Sequence, residues 1–299
     1  MKLPNFLIVG AQKSGTTAIS HYLTLHPQIY MSPIKEPGFF DFEGTPPNFQ
    51  GPGDQELYSS VVTTLEDYSE LFSQTSGEIA LGEATTWYLY SKQAPKRIKY
   101  YIPDAKLIVL LRNPVERAYS GFMHAVRDKR EFLDFAEALV AEDQRIANNW
   151  EYIWRYQQIG FYGEQLERYF TEFSQEQIRV YLYEDLCDDP DSLLRDIFQF
   201  LGVDENHTPE VFTRLNISGK KRSGLIDELL KDTNPIKKIG KLLLPSQIRK
   251  KIADNVRAFN YVKSECPLEV RLKLLHLYKE DIMKVQDLIG RDLSSWLSA

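Results

Sequence analysis

Three short runs of apolar residues stand out from a chain that elsewhere mixes apolar and polar positions. Phe6-Leu7-Ile8-Val9 ends at Gly10, and Lys106-Leu107-Ile108-Val109-Leu110-Leu111 breaks at Arg112-Asn113-Pro114. The third run is Ile178-Arg179-Val180-Tyr181-Leu182-Tyr183. The first two are apolar on both faces, as a strand is when helices cover it from either side. Each run leads into a helical pattern. From Thr16 onward, Ala18, Ile19, Tyr22, Leu23 and Leu25 share one broad face that stops near Pro27. A helix starts near Val115, and Asp191 to Leu201 turns Leu193, Leu194, Ile197, Phe198 and Leu201 inward. Strand followed by helix, three times over, predicts an α/β fold with a central, mainly parallel sheet flanked by helices. Ligands of such sheets bind at the carboxyl ends of the strands.

Between the first helix and the second run, Gly44 to Gly53 contains Pro46, Pro47, Gly51 and Pro52 and reads as a loop without regular structure. No internal repeat or boundary divides the chain, so residues 1–299 read as one domain whose residues 225–299 form a C-terminal helical part. Lys220 to Arg257 carries eleven Lys/Arg against four Asp/Glu, a basic loop followed by helices. Pro267 to Leu297 is amphipathic at helical spacing and is expected to pack on the sheet.

Composition narrows the function. The 299 residues are 43% hydrophobic and 12% aromatic, enough for a sizeable core, and the net charge of −6 argues against general nucleic-acid binding. Cys187 and Cys266 lack metal-type spacing and read as buried thiols, which fits a reducing compartment. The five histidines show no zinc pattern. No run of about 18 apolar residues is present, and Phe6 to Val9 is too short for a signal peptide. The expected location is cytoplasmic.

The chemistry concentrates at the ends of the first two strands. Gly10-Ala11-Gln12-Lys13-Ser14-Gly15-Thr16-Thr17 joins strand to helix. Glycines let such a loop aim its amides at an anion, the helix N-terminus adds partial positive charge, Lys13 adds a full one, and Ser14, Thr16 and Thr17 add hydroxyls. A P-loop for ATP or GTP requires Gly-x4-Gly-Lys-Ser/Thr. Gly10 and Gly15 keep that spacing, but Thr16 stands where the lysine belongs, and the second strand ends in Arg112 rather than an aspartate. The site therefore reads as holding an anion with protein charge, with no metal required.

Residues 6–17, Phe-Leu-Ile-Val-Gly-Ala-Gln-Lys-Ser-Gly-Thr-Thr, resemble the 5′-phosphosulfate loop of sulfotransferases that use PAPS (3′-phosphoadenosine 5′-phosphosulfate). Residues 110–120, Leu-Leu-Arg-Asn-Pro-Val-Glu-Arg-Ala-Tyr-Ser, resemble their 3′-phosphate motif. Tyr181 to Val203 and Gly-Lys-Lys-Arg-Ser-Gly at 219–224 extend the likeness over most of residues 6–225, nearest to the heparan-sulfate type and small bacterial members. The resemblance implies a P-loop-like three-layer α/β fold. It implies PAPS as donor and PAP (adenosine 3′,5′-bisphosphate) as product. Lys13, Ser14, Gly15, Thr16 and Thr17 would grip the 5′-phosphosulfate, and Arg112 and Ser120 the 3′-phosphate. Lys220, Lys221 and Arg222 would close over the nucleotide, or form a solvated turn. Trp87 or Tyr88 would stack the adenine, or belong to the core.

Sulfuryl transfer to an alcohol needs alignment, neutralisation of the leaving phosphate and a base. Lys13 is the expected neutraliser. Glu36, in Lys35-Glu36-Pro37-Gly38-Phe39-Phe40-Asp41, matches the Glu-x-x-Phe-Phe-Asp segment whose glutamate is the proposed base of heparan-sulfate-type enzymes. Glu83 and His124 are the other candidates. Ala84 stands where those enzymes carry a lysine, which favours a small hydroxylated molecule or a lipid-like alcohol over a polysaccharide as acceptor. Residues 236–251 hold six basic residues and no acidic one. They would cover the acceptor, touch a membrane surface, or pack with snorkelling lysines. The competing readings are a P-loop-type small-molecule kinase and a non-catalytic nucleotide-binding relative.

Overall fold

The structure, a computed structural model, describes residues 1–58, 60–207, 220–221, 261–262 and 265–298. The chain divides into two compact units, Met1–Thr213 with Pro267–Ala299, and Arg214–Cys266. In the first unit the strands are β1 (Phe6–Gly10), β2 (Ile29–Met31), β3 (Ala80–Ala84), β4 (Lys106–Leu111) and β5 (Ile178–Leu182). The helices are α1 (Thr16–Thr24), α2 (Phe39–Phe42), α3 (Asp54–Leu57), α4 (Leu65–Glu70), α5 (Ala94–Tyr101) and α6 (Pro114–Arg127). They continue with α7 (Phe135–Val140), α8 (Glu142–Ala147), α9 (Tyr162–Glu172), α10 (Tyr183–Asp188), α11 (Pro190–Leu201) and α12 (Leu268–Ile289).

The five strands form one parallel sheet in the order β2-β3-β1-β4-β5. Each predicted strand lies where its apolar run stands. The structure adds β2 and β3, which are short and, in the case of β3, interrupted by Gly82 and Glu83. Side chains alternate across a strand. On one face Phe6, Ile8, Ile108 and Leu110 pack with Ile19, Tyr22 and Leu23 of α1 and Leu194, Ile197 and Phe198 of α11. The alternate positions Leu7, Val9, Leu107, Val109 and Leu111 are also fully buried and face the opposite layer.

The C-terminal helix α12 packs on α9 and α6 rather than directly on the sheet. Its buried stripe, Val270, Leu274, Tyr278, Ile282 and Val285, is met by helices that already cover that face. Cys266 is buried as expected, but Cys187 is exposed, because α10 buries none of its residues. In the second unit Lys220–Lys221 pairs antiparallel with Tyr261–Val262, Lys220 opposite Val262. Among the described residues no helix is long and apolar enough to cross a membrane.

Candidate active site

The loop between β1 and α1 is shaped by its glycines. Gly15 caps α1 with φ +95°, in the left-handed region, and a Cβ there would lie 2.7 Å from Leu186 Cδ2. No side chain caps this end of α1. The first-turn amides of a helix lack intrahelical partners and carry partial positive charge, so they favour an anion. Lys13 also adopts a positive φ, of 70°, unusual for a side-chain-bearing residue and a mark of a constrained functional loop. Ser14 is fully buried, and its hydroxyl makes no hydrogen bond within normal geometry. The Tyr162 hydroxyl beside it donates instead to the Arg112 carbonyl at 3.0 Å. A buried hydroxyl beside Tyr162 can turn to a ligand oxygen. Thr16 is buried, and Thr17 Oγ1 accepts from Lys35 Nζ at 3.0 Å.

The end of β4 supplies the second cation. Asn113 Oδ1 accepts from the Val115 amide at 3.0 Å, and Pro114 occupies the first helical position, so only Arg112 and Asn113 separate the strand from α6. Arg112 is thereby held at the carboxyl edge of the sheet. Its Nη1 donates to the Lys13 carbonyl at 3.4 Å, its guanidinium lies 4.7 Å from the Tyr183 ring centroid, and Nη2 stands 3.6 Å from Glu116 Oε2. Ser120 is buried two turns along the same helix.

Two carboxylates lie beyond the loop. Glu36, at φ +57°, is half-buried; its amide donates to the Ala84 carbonyl at 3.1 Å and its Oε1 accepts from Thr86 Oγ1 at 2.9 Å. Burial pushes its carboxyl above the ordinary glutamate range, opposed by Lys35, Thr86 and Lys13. Glu83, fully buried on β3, accepts from Thr85 Oγ1 at 2.8 Å and from the Tyr68 hydroxyl at 3.2 Å. Burial pushes it up to about 7. Sealed from solvent, Glu83 holds Thr85 Oγ1, which in turn accepts from the Gly38 amide at 3.3 Å, two residues after Glu36.

Lys13 and His124 meet directly: Nζ stands 2.8 Å from Nδ1. The other ring nitrogen, Nε2, lies 2.9 Å from Asp128 Oδ2. Burial, with Arg127 and Arg112 nearby, lowers Lys13 to about 8, and burial with the Lys13 charge lowers His124 to about 4.

The fold thus brings together Lys13, Ser14, Gly15, Thr16, Thr17, Arg112 and His124, and places Glu36 within reach of the Lys13 charge. Tyr88 is fully buried against Phe40 and receives the Phe40 amide, so it belongs to the core. Trp87 packs in an aromatic cluster with Phe42 and Tyr58. Lys220 and Lys221 form a strand of the second unit, and Arg222 and residues 236–251 lie outside the described residues. Sequence reasoning gave no role to Lys35, Asp128, Tyr162 or Tyr183. Lys35 adjoins Glu36, and Asp128 follows His124 at the helical i, i+4 spacing, the two signals that were available.

A parallel sheet whose strands β1 and β4 deliver a capless helix, a half-buried lysine and an arginine to one edge defines an α/β protein suited to a multiply anionic ligand. The sulfotransferase domain family matches residues 3–223, and the chain belongs to that family. A mouse heparan sulfate glucosamine 3-O-sulfotransferase 3B1 is 32% identical over 203 residues, covering 68% of this chain and 47% of that protein. A bovine bifunctional heparan sulfate N-deacetylase/N-sulfotransferase 2 is 30% identical over 214 residues, covering 68% of this chain and 22% of that protein. The chain therefore spans less than half the length of these curated relatives. The crystal structure of a sulfotransferase from Alicyclobacillus acidocaldarius superposes with a TM-score of 0.80 at 33% identity, covering 100% of both chains.

Proposed function

We propose that this protein transfers a sulfuryl group from PAPS to a hydroxyl of a small acceptor. The observation that carries the reading is the convergence of Lys13, the buried Ser14 hydroxyl and Arg112 on one strand-end cradle, with Arg112 bonded to the Lys13 carbonyl. These residues fit a nucleotide with two anionic groups. Ser14, Thr16, Thr17 and the first-turn amides of α1 would hold the 5′-phosphosulfate, and Arg112 with Ser120 the 3′-phosphate. The donor supplies an activated sulfuryl group. Lys13 stabilises negative charge where the phosphate leaves. Glu36 takes the acceptor proton at its carboxylate, and a carboxyl raised by burial is the better base for it.

Ala84 is buried at the position where heparan-type enzymes carry a lysine, which supports a small or lipid-like alcohol as acceptor. The relatives named for heparan sulfate favour a sugar hydroxyl instead. Incubation with PAPS and a panel of hydroxylated metabolites and heparan-type oligosaccharides, read by mass spectrometry for a gained sulfonate, separates the two. Calorimetry with PAP against ATP tests the donor: tighter binding of ATP would replace this reading with a kinase.

A further inference from the structure

Among the described residues, the group hydrogen-bonded to the Lys13 ammonium is the imidazole of His124. A lysine ammonium donates and never accepts, so Nδ1 must present its lone pair to Lys13. The ring proton then sits on Nε2, where Asp128 Oδ2 receives it at 2.9 Å. His124 and Asp128 are one turn apart on and just beyond α6, and both ring nitrogens are engaged.

We propose that Asp128 fixes the tautomer of His124 so that His124 orients Lys13, making His124 and Asp128 positioning residues for sulfuryl transfer rather than the site of the base. The inference rests on the sulfotransferase reading and deepens it. Lys13 is a four-carbon chain with a point charge, and the strained loop alone does not select one direction for it. The imidazole does, and it can do so only while neutral. The surroundings keep it neutral: desolvation of the ring, then Lys13 and Arg127, oppose a charge on it and outweigh Asp128. Lys13 in turn faces His124, Asp128, Arg117 and Arg127 from the α6 side, Arg112 from just beyond β4 and Glu36 from the loop before α2. Asp128 is the member of the α6 set that favours the charged lysine.

The geometry separates positioning from base catalysis. The amide of an asparagine at 124 lies where Nδ1 lies, whereas a glutamine reaches the place of Nε2. His124→Asn should therefore keep about tenfold more turnover than His124→Gln, the value of one hydrogen bond to a charged group. A general base would be lost equally in both. A second readout needs no donor. In the PAP-free protein, the pH at which Lys13 is half-modified by acetic anhydride, followed by mass spectrometry, should fall in Asp128→Asn. Wild-type titration of Lys13 in Asp128→Asn, or equal loss in both His124 variants, overturns the proposal. If the wild-type protein neither binds PAP nor consumes PAPS, the sulfotransferase reading falls, while the Lys13 titration still decides whether Asp128 and His124 hold the lysine.

Discussion

Arg112 donates through Nη1 to the carbonyl oxygen of Lys13 at 3.4 Å, so the two cations of the site are tied together through backbone although they end different strands. That tie has a consequence for affinity. Arg112→Ala should weaken PAP binding by about 2–4 kcal/mol, the cost of a lost charged contact. Adenosine 5′-phosphosulfate, which lacks the 3′-phosphate, should lose much less. Calorimetry with both ligands decides it, and equal losses would detach Arg112 from the 3′-phosphate.

Gly15 offers a test of the loop itself. Gly15→Ala must place a side chain at φ +95° and push Leu186 from 2.7 Å. The conformational part alone costs about 1–3 kcal/mol. A lowered Tm together with lost PAP affinity is expected; a variant that binds PAP normally would show that the left-handed cap is dispensable.

Glu83 should make stability depend on pH. Its carboxyl is raised by burial to about 7 in the folded protein, while an unfolded glutamate titrates near 4.3. Between these values the folded state holds a proton that the unfolded state has released, so stability falls as pH rises through that window. Glu83→Gln, which keeps an acceptor for Thr85 and Tyr68, should flatten this slope in chemical denaturation from about pH 5 to pH 7. An unchanged slope would mean that Glu83 is ionised in the fold.

The sheet's centre was legible in the sequence because β1 and β4 are buried on both faces and read as unbroken apolar runs. The strands β2 and β3 were not, since one is three residues long and the other carries Gly82 and the buried Glu83 among its apolar positions. At the site, the anion loop and Arg112 were readable because their local sequence builds their geometry: glycine for the left-handed cap, Asn-Pro for the start of α6. Lys35 was legible only as the neighbour of Glu36, its bond to Thr17 being a product of the fold, and Tyr183 was not legible, because it reaches Arg112 from an element distant in the chain. The Lys13–His124 contact joins residues 111 apart, and no local pattern announces it.

Glu36→Gln should lower turnover roughly 10²-fold while leaving PAP affinity nearly unchanged, as expected for a base that acts in the transition state. Retained activity in this variant would reopen the assignment of the base.

Lys35 provides the pH counterpart of that test. Its ammonium donates to Thr17 at 3.0 Å and lowers the Glu36 carboxyl against the upward push of burial. A base must be ionised to act, so the rate falls as pH drops through the pKa of Glu36. Lys35→Met removes the nearby positive charge and leaves burial unopposed by it, which raises that pKa. The acid limb of the kcat/KM profile should therefore move to higher pH, with a larger loss of activity at pH 6 than at pH 8. Because Lys35 is exposed, salt screens part of the effect, and the displacement should shrink as ionic strength rises. A loss of equal size at every pH would assign Lys35 to donor binding through Thr17 alone, and an unmoved acid limb would place the titrating base elsewhere than Glu36.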